Sequence, residues 1–258
     1  MSEPADALTA RTLVNVVHDG RRDEVAVEEP LEIRVDGAAL AVTMRTPAHD
    51  EELALGFLHG EGLVDRALPA GPTADFAANV VEVRGPLLRD PLTRRFYATS
   101  SCGVCGKGAL EELAVIAPVV ADGPRVDRTL LAGLPDRLLQ PTFERTGGLH
   151  ATGLFGADGE LLIVREDVGR HNAMDKVIGR ALIDGMLPLA ERVLCVSGRL
   201  CFELVQKAAM AGAPILVGVG APSSLAIELA ADRGITLAGF ARGGSVNVYS
   251  GEQRVQEG

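Results

Sequence analysis

The chain has 258 residues, of which 47% are hydrophobic and 23% charged, and its formal net charge is −10. This length predicts one or two domains, and the balance of apolar and charged residues excludes a disordered or fibrous protein. Because nucleic acids and anionic membranes attract basic proteins, the acidic charge argues against both as partners. Residues 1–6 do not resemble a signal peptide, and no apolar run reaches the roughly 18 residues of a membrane span, so we expect a cytoplasmic protein.

The first half of the chain predicts a small β-rich domain over residues 1–122. Apolar and polar residues alternate over residues 25–44 around Asp36-Gly37, a pattern that predicts a β-hairpin. Thr46 and Pro47 suit the cap and the first turn of a helix that runs toward Gly60.

A loop over residues 65–75 and a short strand over residues 80–83 are predicted next. A basic, irregular segment then leads to a glycine-rich loop at residues 100–108, which we expect to be mobile. A helix is predicted to begin at Ala109, with acidic residues in its first turn as the helix dipole favours.

The second half, residues 123–258, alternates predicted strands with predicted helices. The strands cover residues 151–155, 161–164, 193–196, 215–219, 235–239 and 246–249, and the helices cover residues 172–183, 199–211 and 223–231. This alternation predicts an α/β domain built on one layered sheet.

The four cysteines lie at positions 102, 105, 195 and 201, and only the first two have a recognisable spacing. Cys102 and Cys105 form a Cys-x-x-Cys pair before a predicted helix N-terminus, where the dipole and Lys107 favour the thiolate. Persulfide carriage, dithiol redox chemistry and zinc binding are all compatible with such a pair, as is a purely structural loop. We interpret Cys195 and Cys201 as core residues.

Zinc deaminases combine a His-x-Glu with a later Pro-Cys-x-x-Cys, and His59-Gly60-Glu61 precedes the cysteine pair in this chain. However, Ser101 stands in the place of the proline, and His59 ends an apolar helix. Catalytic zinc is therefore the weaker interpretation, and we predict no permanent metal.

Three loops follow predicted strands and hold small and polar residues, at 167–172, 197–199 and 218–224. Such loops converge at one edge of a parallel sheet, where helix N-termini attract phosphate or pyrophosphate. In the last predicted hairpin, at 239–249, Phe240 could stack on a base while Arg242 meets a phosphate. On the residues alone, a plain hairpin whose glycines supply positive φ is the preferred explanation of that segment.

Several stretches taken together resemble the FdhD/NarQ family of formate dehydrogenase accessory proteins. The matching stretches are residues 101–107, 150–155, 165–176, 196–199 and 239–249. They occur in order along nearly the whole chain, and the run Arg170-His171-Asn172-Ala173-Met174-Asp175-Lys176 is the most specific of them.

The resemblance implies a sulfur carrier that takes persulfide sulfur from a cysteine desulfurase of the IscS type. It would pass this sulfur to the molybdenum cofactor, as bis(molybdopterin guanine dinucleotide), before the cofactor enters formate dehydrogenase. By the resemblance, Cys102 bears the persulfide and Cys105 is its neighbour. The residues expected to bind the guanine-containing cofactor are Phe240, Ala241, Arg242, Gly243, Gly244, Ser245, His171, Asn172 and Ser197.

The resemblance also implies a homodimer and a mixed, three-layer sheet like that of cytidine deaminase, beside the smaller β-rich domain. Two other functions remain open on the sequence. One is a chaperone that binds the molybdenum cofactor without transferring sulfur, and the other is a zinc-dependent hydrolase of the deaminase kind.

Overall fold

A computed structural model describes residues 12–90 and 117–257. The first of these segments forms two small sheets and one helix. Its elements are β1 (Leu13–His18), β2 (Arg21–Ala26), β3 (Glu29–Val35), β4 (Ala38–Arg45), α1 (Asp50–Gly60), β5 (Ala70–Pro72) and β6 (Val80–Val83). Strands β1 and β2 form a separate hairpin, and the others form a four-stranded sheet in the order β4-β3-β6-β5.

The predicted hairpin around Asp36-Gly37 is confirmed as β3 and β4. The predicted strand over residues 80–83 is confirmed as β6, whereas part of the predicted loop over 65–75 pairs with β6 as strand β5. The predicted start of the helix at Thr46 is wrong, since α1 begins at Asp50. Thr46 contacts the connection after a distant strand instead, where its hydroxyl accepts a hydrogen bond from Val168 N at 3.2 Å.

The second segment forms the α/β part of the molecule. Its strands are β7 (Val126–Asp127), β8 (His150–Gly156), β9 (Leu161–Asp167), β10 (Arg192–Val196), β11 (Ile215–Gly218), β12 (Thr236–Arg242), β13 (Ser245–Ser250) and β14 (Val255–Gln256). Its helices are α2 (Arg128–Gly133), α3 (Pro141–Thr146), α4 (Arg170–Ile183), α5 (Phe202–Met210) and α6 (Ser224–Arg233). All nine strands and helices predicted for this half are present, with ends shifted by a few residues.

A six-stranded mixed sheet lies at the centre, in the order β13-β12-β11-β10-β8-β9. Strands β10, β11 and β12 are parallel, β8 is antiparallel to β10, and β9 is antiparallel to β8. Alternate residues of each strand point to opposite faces. One face packs against α4, α5 and α6 through residues such as Leu194 and Leu216, and the other packs against α2 through Val193 and Ile215.

Helices α1 and α4 cross in backbone contact. A Cβ atom at Gly56 would lie 1.8 Å from the carbonyl oxygen of Asp175, and one at Gly179 would lie 1.8 Å from that of Glu52. Only glycine permits this separation. The crossing fixes α4, and the loop before it, relative to the β-rich part.

The mixed α/β architecture is as predicted, while the likeness to cytidine deaminase and the domain boundary at residue 122 stay predictions. The Cys-x-x-Cys loop at 100–108 and the helix predicted after it lie outside the described residues. No helix in the two described segments is both long and apolar enough to cross a membrane.

Candidate functional site

The carboxyl ends of four strands, β9, β10, β11 and β12, share one edge of the central sheet. Helices α4, α5 and α6 begin at this edge, since each follows one of these strands. The edge therefore gathers three helix N-termini, whose free amide groups and partial positive charge favour anions. This arrangement is the one that the three polar loops of the sequence predict.

Backbone hydrogen bonds join the loops at this edge. Gly220 N donates to Gly198 O at 2.9 Å, and Leu200 N donates to Ala221 O at 3.1 Å. Phe240 N in turn donates to Gly220 O at 3.2 Å. The connections after β10 and β11 and the end of β12 thus hold one another in place before any ligand arrives.

Cationic side chains cluster beside these loops. His150 begins β8 and lies between the loops after β9 and β10, because β8 runs antiparallel to β10. Burial lowers the pKa of His150, and the charges of Arg170, His171 and Arg199 lower it further. We call these cationic side chains, together with two neighbours at the same edge, the edge cluster. Its members are His150, Arg170, His171, Arg199, Ser197 and Cys201.

Two buried polar atoms near this edge lack a hydrogen-bond partner among the described residues. They are Nε of Arg170, the first residue of α4, and the hydroxyl of Thr152, two residues along β8 from His150. Buried polar groups are normally paired, so each such atom calls for an explanation. A guanidinium nitrogen without a partner at three helix N-termini is consistent with a site for an anionic ligand.

The hairpin between β12 and β13 lies at the same edge and contains Phe240 through Ser245. Phe240 is 38% exposed and has a φ of 53°, a left-handed conformation that is unusual for an aromatic residue. The register of the two strands shifts between Gly239 and Arg242, as in a β-bulge. Arg242, Gly243, Gly244 and Ser245 are exposed, whereas Ala241 is buried.

His171, Cys201 and Glu203 form a contact that the sequence analysis missed. His171 Nε2 lies 3.1 Å from Cys201 Sγ and 3.6 Å from Glu203 Oε2. Cys201 lies at the N-cap of α5, where it is partly exposed and packs against the edge of the helix-side core, so the prediction that it is a core residue is confirmed only in part. Cys195, in contrast, is fully buried in β10 as predicted.

Contacts among His171, Cys201 and Glu203 shift the pKa values of all three side chains. The hydrogen bond with His171 lowers the pKa of Glu203 to about 2. Burial alone would raise the pKa of Cys201 and lower that of His171, but their mutual contact reverses both shifts. In Cys195, which has no such partner, burial raises the thiol pKa strongly.

Two of the predicted cofactor-binding residues also make contacts within the fold. Asn172 donates through Nδ2 to Met44 O at 2.7 Å and to Asp167 Oδ1 at 3.0 Å. Ser197 Oγ accepts a hydrogen bond from Ala151 N at 2.9 Å. Asn172 thereby ties β4 to α4, and Ser197 ties β10 to β8 at the edge.

His59, the histidine of the deaminase-like motif, is buried rather than free to bind metal. Its Nδ1 lies 3.0 Å from Val64 O and its Nε2 3.0 Å from Met210 O, so backbone carbonyls occupy both ring nitrogens. The zinc interpretation built on His59 is therefore wrong. The ligand-type atoms of His171, Cys201 and Glu203 do lie within 4.8 Å of one another. However, the neighbouring Arg170 and Arg199 and the helix N-termini oppose a divalent cation there.

The fold and the edge cluster define a class of protein, a mixed α/β protein whose polar and cationic loops meet at one edge of its central sheet. A sequence model of the FdhD/NarQ family matches residues 26–256. The chain belongs to the FdhD/NarQ family.

Curated relatives match over nearly their whole length. A protein of Streptomyces avermitilis named "Sulfur carrier protein FdhD" is 52% identical, with 96% of each chain covered. Its namesake in Mycobacterium tuberculosis is 49% identical over 91% of this chain and 92% of its own. A crystal structure from Desulfotalea psychrophila, assigned as a formate dehydrogenase accessory protein, superimposes with a TM-score of 0.72 at 26% identity, covering 95% of this chain and 97% of that one.

Proposed function

We propose that this chain is a cytoplasmic sulfur carrier for formate dehydrogenase. It accepts persulfide sulfur from a cysteine desulfurase of the IscS type and passes it to the molybdenum cofactor before that cofactor enters the dehydrogenase. The observation that carries the proposal is the identity of about 50% with proteins named sulfur carriers, over more than 90% of both chains. The likeness to the Desulfotalea accessory protein supports the choice of client enzyme.

Cys102 carries the sulfur in this proposal, and Cys105 is its neighbour. A thiolate accepts sulfane sulfur by attacking it and displacing the donor thiolate, with no net oxidation. A persulfide is more acidic than a thiol, so it is ionised at neutral pH and ready to donate its outer sulfur.

The molybdenum cofactor, carried as bis(molybdopterin guanine dinucleotide), is the cargo. The edge cluster supplies cations and helix N-termini that suit its pyrophosphates, and Arg170 Nε is a buried donor that lacks a partner in the described part of the chain. Phe240 offers an exposed ring for stacking on guanine. We propose that the carrier acts as a homodimer.

Intact-mass measurement after incubation with a desulfurase and cysteine tests the sulfur step. We expect an adduct of about 32 Da, one sulfur atom, that is lost in Cys102→Ala and can be removed by a thiol reductant. An adduct of unchanged yield in Cys102→Ala would contradict the assignment. Cys195→Ala is the matched control, since Cys195 is fully buried.

The alternative is a chaperone that holds the cofactor without transferring sulfur, which the edge cluster alone would support. Formate dehydrogenase activity in cells that depend on this chain separates the two functions. A sulfur carrier loses this activity in Cys102→Ala but still binds the cofactor. A chaperone keeps both.

A further inference from the structure

The contact between Cys201 and His171 has the composition of an activated thiol. Sγ and Nε2 are 3.1 Å apart, and Cys201 precedes the first turn of α5. A histidine partner and a helix N-terminus are two of the surroundings that stabilise a thiolate. Cys201 is partly exposed, unlike the fully buried Cys195.

The groups around this pair favour an anion at Cys201. His171 faces it from α4, with Nε2 3.1 Å from Sγ, and this contact and the backbone hydrogen bond with Leu204 both lower the pKa of Cys201. Arg170 and Arg199 lie at the same edge, around His150. Lys207 of α5 also acts on His171, but it is buried and paired with Asp175 at 2.6 Å and lies near Glu61. Glu203 opposes the thiolate directly, yet its contact with His171 also raises the pKa of that histidine. The contact with His171 outweighs this repulsion, since the pKa of Cys201 is lowered overall.

We propose that Cys201 is a second sulfur-accepting thiol, which holds sulfane sulfur at the carboxyl edge of the sheet, next to the cofactor site. This role rests on the proposed sulfur-carrier function, because it requires a persulfide as the donor. This second sulfur site is separate in sequence from the Cys-x-x-Cys pair, because Cys201 lies almost 100 residues after Cys105.

The transfer is a thiolate exchange that needs no oxidant. Cys201 Sγ attacks the outer sulfur of a hydropersulfide R–S–SH and forms a new S–S bond. The original S–S bond breaks, and its electron pair leaves with R–S⁻. The product is Cys201–S–SH, held beside His171.

Alkylation kinetics test the activation of the thiol. The protein used is the full chain with Cys102→Ala and Cys105→Ala, in which the remaining thiols are Cys195 and Cys201. We expect the rate at which iodoacetamide labels Cys201 to level off near neutral pH. The rate for an ordinary thiol, with a pKa of about 8.5, keeps rising through and beyond that pH. At pH 6 the rate should fall about tenfold or more in His171→Gln.

Buried Cys195 is the internal control, because its labelling would report unfolding. If the alkylation rate of Cys201 in the chain that keeps His171 rises with pH as that of an ordinary thiol does, the proposal is overturned, whatever the His171→Gln variant shows. Equal rates in the His171→Gln variant, with Cys195 unlabelled, also overturn it.

Sulfur acceptance is tested in the same protein with glutathione persulfide as the donor. We expect an adduct of about 32 Da that is absent from Cys201→Ser. If no adduct forms while unmodified protein still takes up sulfur on Cys102, this inference fails and the proposed function stands. If the adduct on Cys201 forms but none requires Cys102, the proposed role of Cys102 fails instead. Stoichiometric zinc that protects Cys201 from both reagents would show a metal site and overturn the proposal.

Discussion

Phe240 adopts a backbone conformation that costs an ordinary residue about 1 to 2 kcal/mol. Its φ of 53° is accompanied by a register shift in the hairpin, and its ring is 38% exposed. Such strain persists where the surrounding structure enforces it, often at binding sites. In this hairpin it holds an aromatic ring at the sheet edge, beside the loop that contains Gly220.

Replacing Phe240 by glycine removes both the aromatic ring and the backbone strain, and stability and ligand affinity report on them separately. We expect the free energy of unfolding of Phe240→Gly to change by less than about 1 kcal/mol, because glycine tolerates the positive φ. Affinity for GDP, which contains the guanine and pyrophosphate of the proposed cargo, should fall about tenfold through loss of stacking. Calorimetric titration and denaturant unfolding measure the two quantities.

Phe76 provides the control, since it also has a positive φ, 51°, and its ring is 78% exposed between β5 and β6. Phe76→Gly should leave GDP affinity unchanged. Equal losses of affinity in the two variants, or no loss in Phe240→Gly, would remove Phe240 from the proposed site.

Glu52 and Arg165 form a two-pronged ion pair between α1 and β9. The two contacts are 2.6 and 2.8 Å long, and the Glu52 side chain is 9% exposed. Burial alone would raise the pKa of Glu52, but Arg165 and then His49 lower it from 4.5 to about 2. A carboxylate whose pKa is depressed on folding stabilises the folded state above its unfolded pKa, and this stabilisation is lost as the pH falls through the folded pKa.

We therefore expect Glu52→Gln to lower the free energy of unfolding at pH 7 by roughly 2 to 3 kcal/mol. The difference from the unmodified protein should shrink as the pH falls from 4.5 toward 2. Urea titrations at several pH values measure it. Glu51→Gln is the control, because burial raises the pKa of Glu51 and its charge brings no comparable stabilisation. A difference for Glu52→Gln that does not vary with pH would contradict the ion-pair explanation.

At the scale of the elements, the crossing of α1 and α4 depends on two glycines that sequence periodicity does not mark as special. Neither position requires an unusual backbone angle. Each instead lies where the other helix's backbone passes, so a methyl group would have to displace a helix rather than a side chain.

Gly56→Ala should lower the free energy of unfolding by at least about 2 kcal/mol, because the new Cβ would overlap the carbonyl of Asp175. Gly133→Ala in α2 is the matched control, since no atom lies within 4 Å of its would-be Cβ. There the stability should stay the same or rise by up to about 1 kcal/mol, as alanine favours a helix. Equal effects of the two substitutions in denaturant unfolding would show that the helices do not cross as closely as described.

At the scale of the whole molecule, a buried polar network joins the β-rich part to the α/β part. Lys176 Nζ lies 2.7 Å from Asp167 Oδ2, and both side chains are at most 1% exposed. Lys176 also donates to Thr46 O at 2.9 Å, and Thr46 N donates to Asp167 Oδ2 at 3.2 Å. The family-specific run from Arg170 to Lys176 thus has two roles. Its first residues face the sheet edge, and its later ones hold the two parts together.

Lys176→Met should destabilise the protein by about 3 to 5 kcal/mol, because it leaves the buried Asp167 carboxylate without its cation. Arg180→Met removes the exposed pair with Asp184 in the same helix and should cost less than about 1 kcal/mol. Thermal and denaturant unfolding compare the two variants. If both lose equally little stability, the network does not fasten the two parts.

Much of the α/β half was predictable because its strands and helices are short, strongly apolar and separated by turn residues. The predicted ends were less accurate where tertiary contacts decide them. Thr46 has the side chain of a helix cap, yet its hydroxyl and backbone groups bind the β9–α4 connection, so α1 begins only at Asp50. The short strands β5, β7 and β14 carry too few residues to show a period, and β7 and β14 also depend on each other across more than half of the described chain.

The sequence by itself determined the family and the order of strands and helices, since these follow from local patterns and motifs. Only the tertiary structure decided which side chains meet. His150 has no partner at a spacing in sequence that marks a site, and it reaches the edge cluster because β8 runs antiparallel to β10. Cys201 and His171 are 30 positions apart and come into contact because α4 and α5 both begin at the same edge of the sheet. We propose that this edge adds a third sulfur-accepting thiol, Cys201, to the Cys-x-x-Cys pair.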